Sequence, residues 1–248
     1  MSVADFFKGV TETDIHGPKI VFSFDVAGVT INVSETIVLG WVLILALTIL
    51  ILWLTSNMKK VPTKKQAVAE WIVTTVNKLV DENMGTGHRV YAPYIATIFV
   101  YSILGSLISL LGFRSITADF NTTITWALMT FVLITYAKLK TNGFLGYLKG
   151  YTQPVAVMLP INIISEVATP VSMSLRHYGN IAGGMVITTL LYYALTGLSN
   201  MLHLPIPIFT VGIPAVLSCY FDLFSGFMQA FIFISLSMAY IGGGYSKE

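Results

Sequence analysis

Residues 154–198 read PVAVMLPINIISEVATPVSMSLRHYGNIAGGMVITTLLYYALTGL. As one helix this apolar tract of roughly forty residues would be about 60 Å long, twice the hydrocarbon thickness of a bilayer. Pro205 to Gly243 is a second tract of the same kind. Each tract either breaks into two spans or forms one long, steeply tilted helix. Neither midpoint carries a polar turn long enough to be a loop, which favours long helices, with Pro170 and Pro214 as candidate kinks.

The rest of the composition agrees with a polytopic membrane protein. Of 248 residues 55% are hydrophobic and only 10% charged, and the mean hydropathy is +0.76, more apolar than a soluble core of this size needs. The net charge of +2 and the position of the basic residues at span ends give no nucleic-acid surface. Cys219 is the single cysteine and the four histidines are scattered, so neither a disulfide framework nor a metal-ligand spacing is present. GxxxxGK[ST], HExxH and GxSxG are all absent, and no cofactor or metal site is expected.

Ile37 to Ser56 supplies a first span with no charge after Glu35. Lys59, Lys60, Lys64 and Lys65 follow it, and the positive-inside rule places them on the cytoplasmic side, leaving the N-terminal tail outside. Over 66–83, Val68, Trp71, Ile72, Thr75, Val76, Leu79 and Val80 share one helical face while Glu70, Lys78, Asp81 and Glu82 take the rest, the pattern of an interfacial helix. Tyr91 to Phe113 and Thr122 to Ala137 are two further spans, joined on the outer side by a loop with Arg114 and Asp119 and followed by Lys138, Lys140 and Lys149. The expectation is one all-α membrane domain over 1–248. It comprises an outer segment 1–35, a span 36–56, a cytoplasmic amphipathic helix 64–83, two spans in 91–137 and two long tilted helices in 152–245, with the C-terminus in the cytoplasm.

Polar residues inside the last two tracts fall on helical faces. Ser172, Arg176, Asn180 and Gly183 are spaced four, four and three apart, with Gly179 beside them, and Ser218, Asp222, Ser225 and Gln229 repeat the pattern at four, three and four. An intramembrane arginine costs at least about 2.5 kcal/mol, so it faces protein or a water-filled path. Glycines 179, 183 and 184 would let another helix approach closely. Two polar stripes on adjacent helices make a hydrophilic path and indicate ion handling rather than an enzyme.

Pro160-Ile161-Asn162, Glu166, Pro170-x-Ser172, Leu175-Arg176-His177-Tyr178-Gly179-Asn180 and the later Gln229-Ala230-Phe231-Ile232-Phe233 resemble subunit a of bacterial F-type ATP synthases. Thr117-Ala118-Asp119-Phe120-Asn121-Thr122-Thr123 is similar to the stretch before that family's third full span, so the likeness runs from about residue 36 onward. The resemblance implies that the two long helices form a C-terminal hairpin against a rotor ring of c subunits, within a complex that also holds b-type peripheral stalk subunits and a catalytic head. It implies an ion path of two aqueous half-channels in a bacterial plasma membrane, with the mitochondrial inner membrane or thylakoid as alternatives. Either protons or Na+ could be the coupling ion. Arg176 matches the arginine between the half-channels, and Asp222, Gln229, Asn180, Ser172, Glu166 and Asp119 match or flank the path.

Bland readings stand beside these roles. Glu166 lines the cytoplasmic half-channel or only caps a helix entry, and a Glu166–Arg176 ion pair is disfavoured because ten residues take them off a common face. His177 points about 100° from Arg176 and reads as a packing or hydrogen-bonding residue ahead of a proton relay. Ser172, Asn180, Gln229, Ser218 and Ser225 could be interhelical hydrogen-bonding groups, and Asp119 sits at an outer span end or a channel mouth. The chain departs from the family at Met185, where an acid or histidine is common, at Asp222, where histidine, glycine or another polar residue is found, and at Thr169, often Lys or Arg. A secondary ion-coupled transporter is the alternative function, although no internal repeat is visible.

Overall fold

The computed structural model describes residues 19–26, 28–56, 58–153, 155–201 and 220–245. It begins with a feature absent from the expectation, an antiparallel hairpin of β1 (Ile20–Val26) and β2 (Val29–Ser34) in which Phe24 pairs with Ile31 and Val26 with Val29. Its strands are rich in β-branched and aromatic residues, and the Thr30 hydroxyl donates to Asp25 at 2.6 Å across the turn. Helix α1 (Glu35–Thr55) follows directly. It is apolar on all sides, and Trp41, Leu45, Ile49, Leu52 and Trp53 are exposed on it, as lipid contact requires.

Helix α2 (Lys64–Met84) stops at Gly85, and α3 (Ala92–Leu107) is extended by 3-10 turns at Arg89–Tyr91 and Ile108–Leu111. Helix α4 (Phe120–Gly150) continues past Ala137, where the third span was expected to end. It turns at Gly143, whose φ of 69° lies in the left-handed region that favours glycine. Helix α5 runs unbroken from Leu159 to Met201 with Pro170 inside it, 43 residues in all. A π-helical turn, Phe221–Ser225, leads into α6 (Gly226–Gly243). The all-α class therefore holds, with five helices long and apolar enough to cross a membrane among the described residues. Pro214 and Ser218 lie outside the described residues.

Helix α6 is the centre of the bundle. Its buried residues, Gly226, Gln229, Ala230, Phe233, Ile234, Ser237, Met238 and Ile241, recur at alternating three- and one-residue steps and so form one stripe. Against that stripe pack Tyr91, Ala92, Ile95 and Ile98 of α3 and its lead-in turn, Trp126, Ala127, Ile134 and Ala137 of α4, and Val80 and Met84 of α2. The apolar face of α2 is thus divided: its C-terminal half docks on the bundle while Val68, Trp71 and Ile72 remain exposed. At Gly226 the helices approach closely, since an added Cβ would lie 2.8 Å from the Ser106 Cβ. Helix α5 contributes only Met173 to the core and rides on the outside.

Asp119 ties two spans together. It caps α4 by accepting from the Asn121 amide at 3.0 Å and receives the Thr36 hydroxyl of α1 at 2.6 Å, with Ser34 bonded to Thr36 at 2.8 Å. Asp119 is only 6% exposed. Asp119→Ala would leave Thr36 buried without its acceptor and α4 uncapped, an expected loss of about 1–3 kcal/mol. Thermal unfolding in detergent should show a lower midpoint for Asp119→Ala and a smaller drop for Asp119→Asn.

Candidate ion-path site

Helix α5 presents two different faces in its middle, about 100° apart. Pro170, Met173, Ser174 and His177 are its buried positions, at the three-and-four spacing of a single helical face. Ser172, Arg176 and Asn180 lie on the other face and are exposed. The Asn180 amide donates to the Arg176 carbonyl at 3.1 Å. A Cβ added at Gly179, Gly183 or Gly184 would meet nothing within 4 Å. Arg176 therefore projects from an open, shallow face that the chain itself does not cover.

Toward the start of α5 lies a cavity of about 890 Å³ lined by residues that include Lys138, Asn142, Tyr147, Tyr151, Asn162 and Glu166. The turn at Gly143 brings Tyr147 back over it. The Glu166 carboxylate accepts from the Lys138 ammonium at 3.2 Å and from the Tyr147 hydroxyl at 3.1 Å. Glu166 thus pairs with Lys138, and the Arg176 pairing that the helical geometry disfavoured is not formed. Burial, then contact with Glu166 and Tyr147, holds the Tyr151 hydroxyl well above the ordinary phenol range, so it stays protonated beside the carboxylate. Asn162 donates to the Tyr151 and Gln153 carbonyls at 2.9 and 3.1 Å, closing the loop over this space.

A second cavity, of about 260 Å³, lies beside the middle of α5 and includes Asn180, Gly184, Met185, Thr188, Asp222 and Ser225 in its lining. Ser106, Ser109, Arg114 and Ser115 close it from the α3 side. Ser115 and Ser106 each bond to Thr117, at 2.8 and 2.9 Å, a short string of hydroxyls along its wall. Met185 and Asp222 thus share one space, although they are on different elements.

A π-helical turn interrupts the polar stripe of the last tract at Asp222. It widens the helix at Asp222 and shifts the register by about one residue relative to an α-helix. Asp222 and Ser225 face the cavity, whereas Gln229, expected on the same stripe, is buried in the bundle at 8% exposure and lines neither cavity. Ser218 is outside the described residues. Asp119 also lines neither cavity, being spent on the α1–α4 tie. His177 is buried on the bundle side of α5, bonded to Ser102 at 3.3 Å. Sequence reading missed Lys138 and Tyr147 as partners of Glu166. The signal was faint, because a lysine closing a span reads as a topology marker. Among the described residues no group of His, Cys, Asp or Glu could hold a metal ion.

An ATP synthase A chain family model matches residues 37–242, from the first turn of α1 to the last turn of α6. The chain belongs to the ATP synthase A chain family. Relatives of this family include the ATP synthase subunit a, sodium ion specific, of Propionigenium modestum, 36% identical over 85% of this chain and 74% of that protein. The ATP synthase subunits a of Desulforamulus reducens and Anoxybacillus flavithermus are 33% and 32% identical, over 87% and 89% of this chain and 80% and 95% of their own lengths. As an A chain, the protein is a multi-pass, ion-translocating component of the ATP synthase complex and not its catalytic part.

Proposed function

We propose that this A chain passes ions to and from a rotating ring of c subunits through two separate aqueous routes, with Arg176 as the charged divider between them. One observation carries the reading: two cavities, each with a carboxylate in its lining, open at different heights on α5, and Arg176 stands exposed between the α5 residues that line them. Glu166 and Asn180, one in each lining, are about 21 Å apart along a straight helix.

Arg176 suits the divider because its charge is permanent. A rotor carboxylate that has lost its ion is attracted to the guanidinium by about 4 kcal/mol at 4 Å and an effective dielectric of 20, enough to hold it ionised and weak enough for rotation to undo. An ion cannot share the same spot, so the direct leak between the routes is closed. The Asp222 cavity is then the outer route and the Glu166 cavity the cytoplasmic one. Ser172 and Asn180 flank the arginine on the rotor face, and Ser225 lines the outer route. A bacterial plasma membrane with the N-terminus outside, b-type stalk subunits and lipid around α1 complete the assignment. The coupling ion is a proton or Na+.

Purification of the assembled complex tests this. The chain should copurify with a ring of small subunits that carry a mid-membrane carboxylate, and an imposed proton or Na+ gradient should drive ATP synthesis. Recovery as a monomer that accumulates a solute would favour the transporter instead. The orientation has its own measurement: cysteines at Lys64 and Lys149 should react with impermeant thiol reagents from the cytoplasmic side, and a cysteine at the exposed Phe113 from the outside. Reversed labelling would exchange the two routes.

A further inference from the structure

His177 is the buried neighbour of the exposed arginine, and its surroundings are unusual for a polar side chain. It is 1% exposed. Its Nε2 is 3.3 Å from the Ser102 hydroxyl of α3. Its ring meets Trp126 of α4 and Phe233 of α6 edge to face, with both centroid distances 5.7 Å. A single side chain of α5 therefore touches all three helices that α5 rides on. The remaining buried positions of the helix, Pro170, Met173 and Ser174, are small or flexible, and its other ties are half-buried ones: Glu166 to Lys138 and Tyr147 near its start, and the Tyr178 ring against Phe120 of α4 at 5.6 Å.

Ties made through long or half-exposed side chains leave a helix freedom to roll about its own axis, and a fully buried group narrows it. An apolar side chain in that place would pack at a range of angles, whereas an imidazole wedged between two ring edges and hydrogen-bonded to one hydroxyl admits only one. The next residue lies about 100° round the helix, so the angle of His177 is also the angle of Arg176. We propose that His177, through Ser102, Trp126 and Phe233, is the positioning residue that sets the roll of α5 and so aims Arg176 out of the chain. The proposal rests on the reading of Arg176 as the divider, and it adds a requirement within the chain: the divider works only when its helix is keyed.

The test uses the whole assembled complex in vesicles, with ATP synthesis and passive ion conductance measured side by side. His177→Leu should lower ATP synthesis about fivefold at equal complex content and raise the passive conductance, because a rolled arginine no longer closes the leak. His177→Gln, whose amide reaches toward Ser102, should recover most of both. Ser102→Ala should reproduce part of the loss, and the double variant Ser102→Ala/His177→Leu should be no worse than His177→Leu alone, since the two residues act as one unit. A purely structural role would reduce the amount of complex and leave its coupling per complex unchanged. If His177→Leu does not assemble, Ser102→Ala and His177→Gln carry the same comparison. Wild-type synthesis and conductance in His177→Leu, or in Ser102→Ala should His177→Leu not assemble, would overturn the keying while leaving the divider intact. Wild-type synthesis in Arg176→Ala would overturn the divider itself.

Discussion

Arg176→Ala should reduce gradient-driven ATP synthesis by at least about a hundredfold in fully assembled complexes, because an attraction of about 4 kcal/mol for the ionised rotor group disappears with it. Passive ion conductance should rise in the same vesicles, since nothing then separates the two routes. Arg176→Lys should be nearly as damaging. An ammonium keeps the charge at neutral pH but loses the planar fork, and in a poorly solvated site it can surrender its proton where a guanidinium cannot. The open surface around Arg176 makes these variants clean to interpret. The side chain is exposed on the uncovered face, with three unobstructed glycines nearby, so its removal leaves the bundle intact. Near-normal synthesis in Arg176→Ala would end the divider assignment.

Asp222→Asn is expected to slow ATP synthesis about tenfold or more with assembly unchanged, because it removes the one carboxylate in the lining of the cavity beside the middle of α5. Met185 lines the same cavity and can neither bind nor relay a proton. On the proposed reading, the acid or histidine that the family resemblance would put at Met185 is supplied instead by Asp222 on the facing element. A second substitution follows from this geometry. Met185→Glu or Met185→His added to Asp222→Asn should restore part of the rate, whereas the same change at Leu190, which lines neither cavity, should restore none. A wild-type rate in Asp222→Asn would show that the carboxylate is structural, and failure of both Met185 substitutions to restore any rate would refute the exchange of roles.

The features readable in the sequence were those that depend on one helix at a time. Spacings of four and four placed Ser172, Arg176 and Asn180 on one face without knowledge of any partner, and the absence of a loop-length polar turn in the tract around them forecast the unbroken α5. The same logic failed where a local departure from helical period intervened. Asp222, Ser225 and Gln229 were put on one stripe by assuming 3.6 residues per turn throughout; the π-helical turn at Phe221–Ser225 shifts Asp222 relative to the helix after it, and Gln229 is buried in the bundle while Asp222 and Ser225 line the cavity. Partners distant in sequence were beyond reach for a different reason. Lys138 and Glu166, or Ser102 and His177, meet only because three helices pack, and neither residue's own neighbours announce it. The β-hairpin was a missed opportunity, since IVFSFDV and VTINVS alternate in the strand pattern on either side of a glycine-containing turn.

The scant burial of α5 also bears on how the cell handles this polypeptide. A 43-residue helix that places almost nothing inside its own chain, and carries a guanidinium on its outer face, meets lipid with the wrong side until a neighbour arrives. If the proposed rotor ring is that neighbour, newly inserted copies without it should be targets for membrane proteases. Their lifetime should depend on the supply of rotor subunits, so depleting those subunits should shorten the half-life of this chain in a pulse-chase measurement, and Arg176→Leu should lengthen it again.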